Sequence, residues 1–152
     1  MADVLNEMRD ASIIHLACHG HQDRNSPLDS GFTLRDGQLT VSEVMRLKLP
    51  NTLFAFLAAC ESATGDREQP DESIHLGAAM LFMGVKSVIG TLWPMNDADG
   101  PMVSEIVYDE LFKSYPRLDM QRVPYALDAA ARKLRDGGAH YSRWATYIHM
   151  GI

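Results

Sequence analysis

Residues 52–60 read TLFAFLAAC, an apolar run without polar alternation that ends on a cysteine. Continuous apolarity suits a strand covered on both faces, as in a parallel sheet, whereas a half-exposed strand alternates. Two further runs have this character, SIIHLAC over 12–18 and KSVIGTLW over 86–93, and a weaker one lies at 145–150. The segments between them are helical. TVSE at 40–43 is a capping box, with Thr40 and Glu43 set to satisfy each other's amides, and opens a short helix toward Leu47 and Lys48. Just before it, FTLRDGQLT carries Asp36-Gly37, a hairpin-turn pair.

Residues 73–83, SIHLGAAMLFM, read as a buried helix stopped by Gly84. Pro101 suits the first turn of a helix that runs to Phe112, and another runs from near Pro124 to the Gly137-Gly138 pair. This alternation predicts an α/β fold: a mostly parallel sheet flanked by helices on both faces. The 152 residues suit a single domain. Three or four strands are few for such a sheet, and the first begins about a dozen residues from Met1. The chain is therefore expected to be N-terminally truncated relative to a longer fold, lacking strands that would precede this one.

Composition narrows the function classes. Apolar residues make up 46% and charged residues 22%, as in an ordinary globular domain. A net charge of -6 without a Lys/Arg cluster argues against nucleic acid as a partner. No apolar run approaches the length of a membrane span, and MADVLNEMRDAS is too polar for a signal peptide, so no membrane partner and an intracellular, cytoplasmic location are expected. Two cysteines, Cys18 and Cys60, make no disulfide framework and are candidates for chemistry.

The reactive residues gather at two strand ends. HLACHGH over 15–21 holds three histidines and Cys18, and Cys60 closes the next run. Ligands of open parallel sheets bind beyond the carboxyl ends of the strands. If the two strands are neighbours, His19 and Cys60 share one crevice. A histidine there can take the proton of a thiol that is otherwise mostly protonated at neutral pH. Gly20, without a side chain, lets its backbone amide approach an oxyanion, and the amide of Cys60 is the second donor. Alternation along a strand then turns Cys18 away into packing, with His15 mid-strand and His21 in the turn. Zinc bound by His15, Cys18, His19 and His21 is disfavoured, because His15 is mid-strand and no second cluster completes a tetrahedral set. No cofactor is expected.

HLACHG, PLDSGFTLRDGQLTVSEV, FLAACESATGD, HLGAAMLFMGVKSVIGTLWPMNDADGP and RWATYIHMG, in this order, span nearly the whole chain. Together they resemble the CHAT domain, a caspase-like domain usually found C-terminal to tetratricopeptide repeats, in a variant similar to those common in fungi. The resemblance implies the fold of clan CD cysteine peptidases, with His19 matching the catalytic histidine, Gly20 the oxyanion glycine and Cys60 the nucleophile. It also implies a protein or peptide substrate, and tetratricopeptide repeats as a neighbour in longer relatives. The expected activity is a cysteine endopeptidase; the alternative is an inactive caspase-like regulatory or interaction module. LWPMNDADG resembles the segment that helps form the substrate pocket in related peptidases. Asp97 or Asp99 could there receive a basic side chain, with Asp99 as a helix cap the plainer alternative, and Glu61 and Asp66 are further acidic candidates.

Overall fold

The computed structural model describes residues 2–21, 23, 25–58, 60–61, 72–113 and 115–152. In chain order the helices and strands begin with α1 (Ala2–Asp10), β1 (Ile13–Leu16), β2 (His19–His21), β3 (Gly31–Leu34), β4 (Gly37–Thr40) and α2 (Val41–Val44). They continue with β5 (Phe54–Leu57), β6 (Cys60–Glu61), α3 (Glu72–Phe82), β7 (Ser87–Thr91), α4 (Gly100–Phe112), α5 (Val123–Asp136), α6 (Tyr141–Trp144) and β8 (Tyr147–Gly151). The strands form two four-stranded sheets, ordered β1-β5-β7-β8 and β4-β3-β2-β6. In the first, β1, β5 and β7 run parallel and β8 antiparallel, which gives the expected α/β, mostly parallel architecture.

The unbroken apolarity of β5 has a direct cause. Ala55 and Leu57 belong to a core shared with Met8 of α1, Val44 of α2 and Met80 of α3. Phe54 and Phe56 point the other way, into a core with Val103, Val107 and Leu111 of α4 and Ala126, Leu127, Ala130 and Leu134 of α5. Helices thus cover both faces, and β7 divides likewise, Val88 to the first core and Ile89 to the second. Burying each phenylalanine in full contributes about 1.5–3 kcal/mol. The spacings of three and four along α4 and α5 put those residues on one stripe per helix.

Local chemistry sets the element ends. Glu43 N donates to Thr40 Oγ1 (3.2 Å) and Thr40 N to Glu43 Oε2 (2.9 Å), so the capping box forms as read. The helix it starts is shorter than expected and ends at Val44, although Leu47 still reaches the core. Gly84 takes φ +108°, a conformation that favours glycine, where α3 gives way to β7.

Several expectations need correction. The hairpin turns at Arg35 and Asp36, one residue early, and Gly37 already pairs with Leu34. The polar lead-in is a helix, α1, because Val4, Leu5 and Met8 share a face against the first core. The third correction positions the site. Neither the first strand nor the TLFAFLAAC strand simply stops: each is followed, after a short break, by a strand of the second sheet.

Candidate active site

The pairing offset between the two chains of strand is constant across that break. Leu16 opposes Leu57 in the larger sheet, His19 opposes Cys60 in the smaller one, and 41 residues separate the members of each pair. Between them the amide of Ala58 donates to the carbonyl of Leu16 at 2.9 Å. One parallel ladder therefore leaves the buried sheet and resumes in the second sheet in the same register, with positions 19 and 60 side by side. Cys60 is placed by its backbone. Its side chain and that of Glu61 lie outside the described residues, as does all of Asp66.

β2 lies inside its sheet rather than in a turn. It runs parallel to β6 on one side and antiparallel to β3 on the other, where His19 opposes Thr33 and Gly20 opposes Phe32. The hairpin of β3 and β4 is fixed in turn by Phe32 and Leu39, both fully buried in the first core. His21, expected in a turn, is the last residue of β2. His19 is exposed, so its imidazole is reachable from solvent.

A cleft of about 530 Å³ opens where the larger sheet ends. His15, Cys18 and His19 line one side of it, and Met95, Asp97 and Pro101 the other. His15 was expected to pack within its strand. It does lie on Phe56, with ring centroids 4.9 Å apart, but β1 ends the strand order and leaves the residue exposed at the cleft. Burial lowers the His15 pKa and pushes that of Tyr108 up to about 12, so both are neutral at pH 7. The Tyr108 hydroxyl and His15 Nδ1 are hydrogen-bonded at 3.0 Å. Cys18 is half-buried against the first core, and burial pushes its thiol pKa up, the direction opposite to that of an activated nucleophile.

A family model described as the CHAT domain matches residues 1–152. The chain belongs to that family. The family is caspase-like and peptidase-related, in keeping with the mostly parallel sheet under two helical layers. No curated protein matches the chain. Among the described residues no helix is long and apolar enough to cross a membrane, and no group of three or more His, Cys, Asp and Glu is placed to hold a metal ion.

The two acidic candidates of this CHAT domain whose side chains are described, Asp97 and Asp99, occupy different surroundings. Asp97 is exposed and lines the cleft. Asp99 stands at the N-cap position of α4 but makes no side-chain cap, and with 3% of its surface exposed it is engaged by Arg143. Arg143 Nε meets Asp99 Oδ2 at 2.8 Å, and a second bond joins Nη2 to Oδ1. A basic substrate side chain at Asp99 would have to displace that guanidinium. The sequence does not announce this partnership, because 44 residues separate the two and neither neighbourhood carries a motif that points to the other. The His15–Tyr108 pair, 93 residues apart, escaped for the same reason.

Proposed function

We propose that this CHAT domain is a cysteine endopeptidase whose dyad is His19 and Cys60. The observation that carries the reading is the cross-strand pair of His19 and Cys60 in a sheet bordering the cleft. In this mechanism His19 takes the thiol proton and Cys60 sulfur attacks the peptide carbonyl, so that an S–C bond forms and the carbonyl oxygen becomes an oxyanion. The backbone amides of Gly20 and Cys60 receive that charge. Collapse breaks the C–N bond, and His19 returns its proton to the leaving amine. Water, deprotonated by His19, then cleaves the thioester and restores the thiol.

Asp97 is the carboxylate that would pair with a basic side chain preceding the cleavage point, because it is exposed and lines the cleft, whereas Asp99 is buried with 3% of its surface exposed. The substrate is a protein or peptide, and in longer relatives tetratricopeptide repeats would recruit it. A reducing, cytoplasmic setting suits a free catalytic thiol.

Labelling with a peptidyl electrophile that carries a basic residue tests the reading. Cys60 is expected to react faster than an exposed free thiol and faster than Cys18. His19→Ala should slow labelling by about 10²–10⁴-fold, the usual share of general acid–base catalysis, and Cys60→Ala should abolish it. Labelling at the rate of an ordinary thiol, unchanged in His19→Ala, sinks the peptidase and leaves an inactive interaction module.

A further inference from the structure

One wall of the cleft is a loop, residues 92–99, between β7 and α4, and it carries Met95 and Asp97. A loop that presents a carboxylate to a substrate must be held, or the affinity of that carboxylate is spent on ordering it. Besides its own internal bonds, several fixings of this loop come from one distant stretch, residues 142–147. Leu92 N donates to Thr146 O at 2.8 Å. Thr146 Oγ1 donates to Trp93 O at 2.7 Å and accepts from Trp93 N at 3.3 Å. Trp93 Nε1 donates to Ser142 O at 2.7 Å, and the Tyr147 hydroxyl lies 4.0 Å from Met95 sulfur. Arg143 closes the far end with its two bonds to Asp99.

The Leu92–Thr146 bond continues the β7–β8 register one residue past the last pair, Thr91 and Tyr147, and the remaining bonds are side-chain contacts outside that ladder. Thr146 is fully buried and Asp99 nearly so. A buried carboxylate costs desolvation, and an apolar pair of similar volume is often no less stable. What the forked contact adds is direction: two parallel bonds fix the approach of Arg143 and the carboxylate it holds.

The geometry points to Arg143 as a positioning residue for substrate. Its pair with Asp99, aided by Thr146 and Ser142 on Trp93, holds the Asp97 wall at a set distance from the wall carrying His19. Arg143 touches no reacting atom and acts through the loop. It governs how well a peptide is held and leaves the intrinsic reactivity of the Cys60 thiol alone. The inference rests on the peptidase reading above.

The test compares two reagents on the same thiol: iodoacetamide, which needs no cleft wall, and an arginyl acyloxymethyl ketone, which does. Arg143→Gln is expected to slow the peptidyl reagent by about 10–100-fold, the cost of misplacing a positioning group by an ångström. Its iodoacetamide rate should stay within about twofold, as for loss of binding alone. Arg143→Lys keeps the charge without the fork and should fall between. Amide exchange over residues 92–99 should rise in Arg143→Gln and stay unchanged over 54–57. If Arg143→Gln does not melt cooperatively, Arg143→Lys and Trp93→Phe, which loses only the Ser142 bond, are read in its place.

Equal slowing of both reagents, an unchanged peptidyl rate, or unchanged exchange over 92–99 overturns the inference. A natural chain that reacts no faster with the ketone than with iodoacetamide overturns the peptidase reading instead. Arg143 is then no substrate-positioning residue, and raised exchange over 92–99 marks it as a structural strut only.

Discussion

β5 in the larger sheet is buried at all four of its positions, whereas β2 in the smaller sheet is exposed at His19 and His21. Yet β1 with β5 and β2 with β6 are successive stretches of one parallel register. The difference lies in what covers them. Helices α3, α4 and α5 close over the larger sheet from both sides, while the smaller sheet is tied to the core through Phe32 and Leu39. Backbone pairing carries the positional accuracy of the core outward to where side chains can meet water and substrate. A proton-transferring imidazole needs both, and the bend between the sheets supplies them.

Two substitutions test that division. Phe56→Ala removes a fully buried ring from the second core and should cost about 3–5 kcal/mol in denaturant unfolding. His19→Ala, at an exposed position, should leave stability within about 0.5 kcal/mol of the natural chain while suppressing Cys60 labelling. If His19→Ala unfolds the chain as readily as Phe56→Ala, the smaller sheet is structural and the contrast fails. Gly31→Ala strikes the smaller sheet from behind. A methyl group there would overlap the Leu39 carbonyl oxygen and sit 2.7 Å from Thr40 Cα, so β3 and β4 must separate. The expected loss is about 1–3 kcal/mol, typical of overpacking. Because β3 backs β2, peptidyl labelling of Cys60 should slow as well. Unimpaired labelling in a destabilised Gly31→Ala chain would show that β2 keeps its place without β3.

How far the sequence predicts these regions follows the same line. β5 and β7 are legible because two helical layers demand apolar residues at every position, and that demand is written in TLFAFLAAC and KSVIGTLW. The capping box at Thr40 is legible because it is closed within four residues. β2 is not: three residues, His19, Gly20 and His21, have no apolar periodicity and form a strand only because β3 and β6 flank them. α1 was hidden by its charges, although Val4, Leu5 and Met8 hold the helical spacing. The wall opposite His19 was half legible. Asp97 and Asp99 both stand out as acids after the third strand, but only the fold shows that Asp99 is buried against Arg143 while Asp97 is exposed, and nothing near residue 99 announces it.

The smallest expected effect concerns the two edges of the larger sheet, each of which carries a histidine. His15 on β1 borders the cleft, and His149 on β8 bonds the fully buried Ser87 hydroxyl through Nε2 at 2.8 Å. Burial holds both pKa values below the ordinary 6.5, so each ring is neutral in the fold and gains its proton more readily when the chain unfolds. Stability is therefore flat above that value and declines as pH falls through 6.5, until the folded histidines protonate in turn. Melting temperatures between pH 7.5 and 5.5 measure this. His149→Gln should flatten the slope while leaving peptidyl labelling intact, since His149 pairs with Ile89 in mid-sheet and does not line the cleft. His15→Gln should flatten it too, but with a change in labelling, because its ring forms part of the cleft. Equal effects of the two on labelling would mean that the edges do not differ in the way their places in the sheet require.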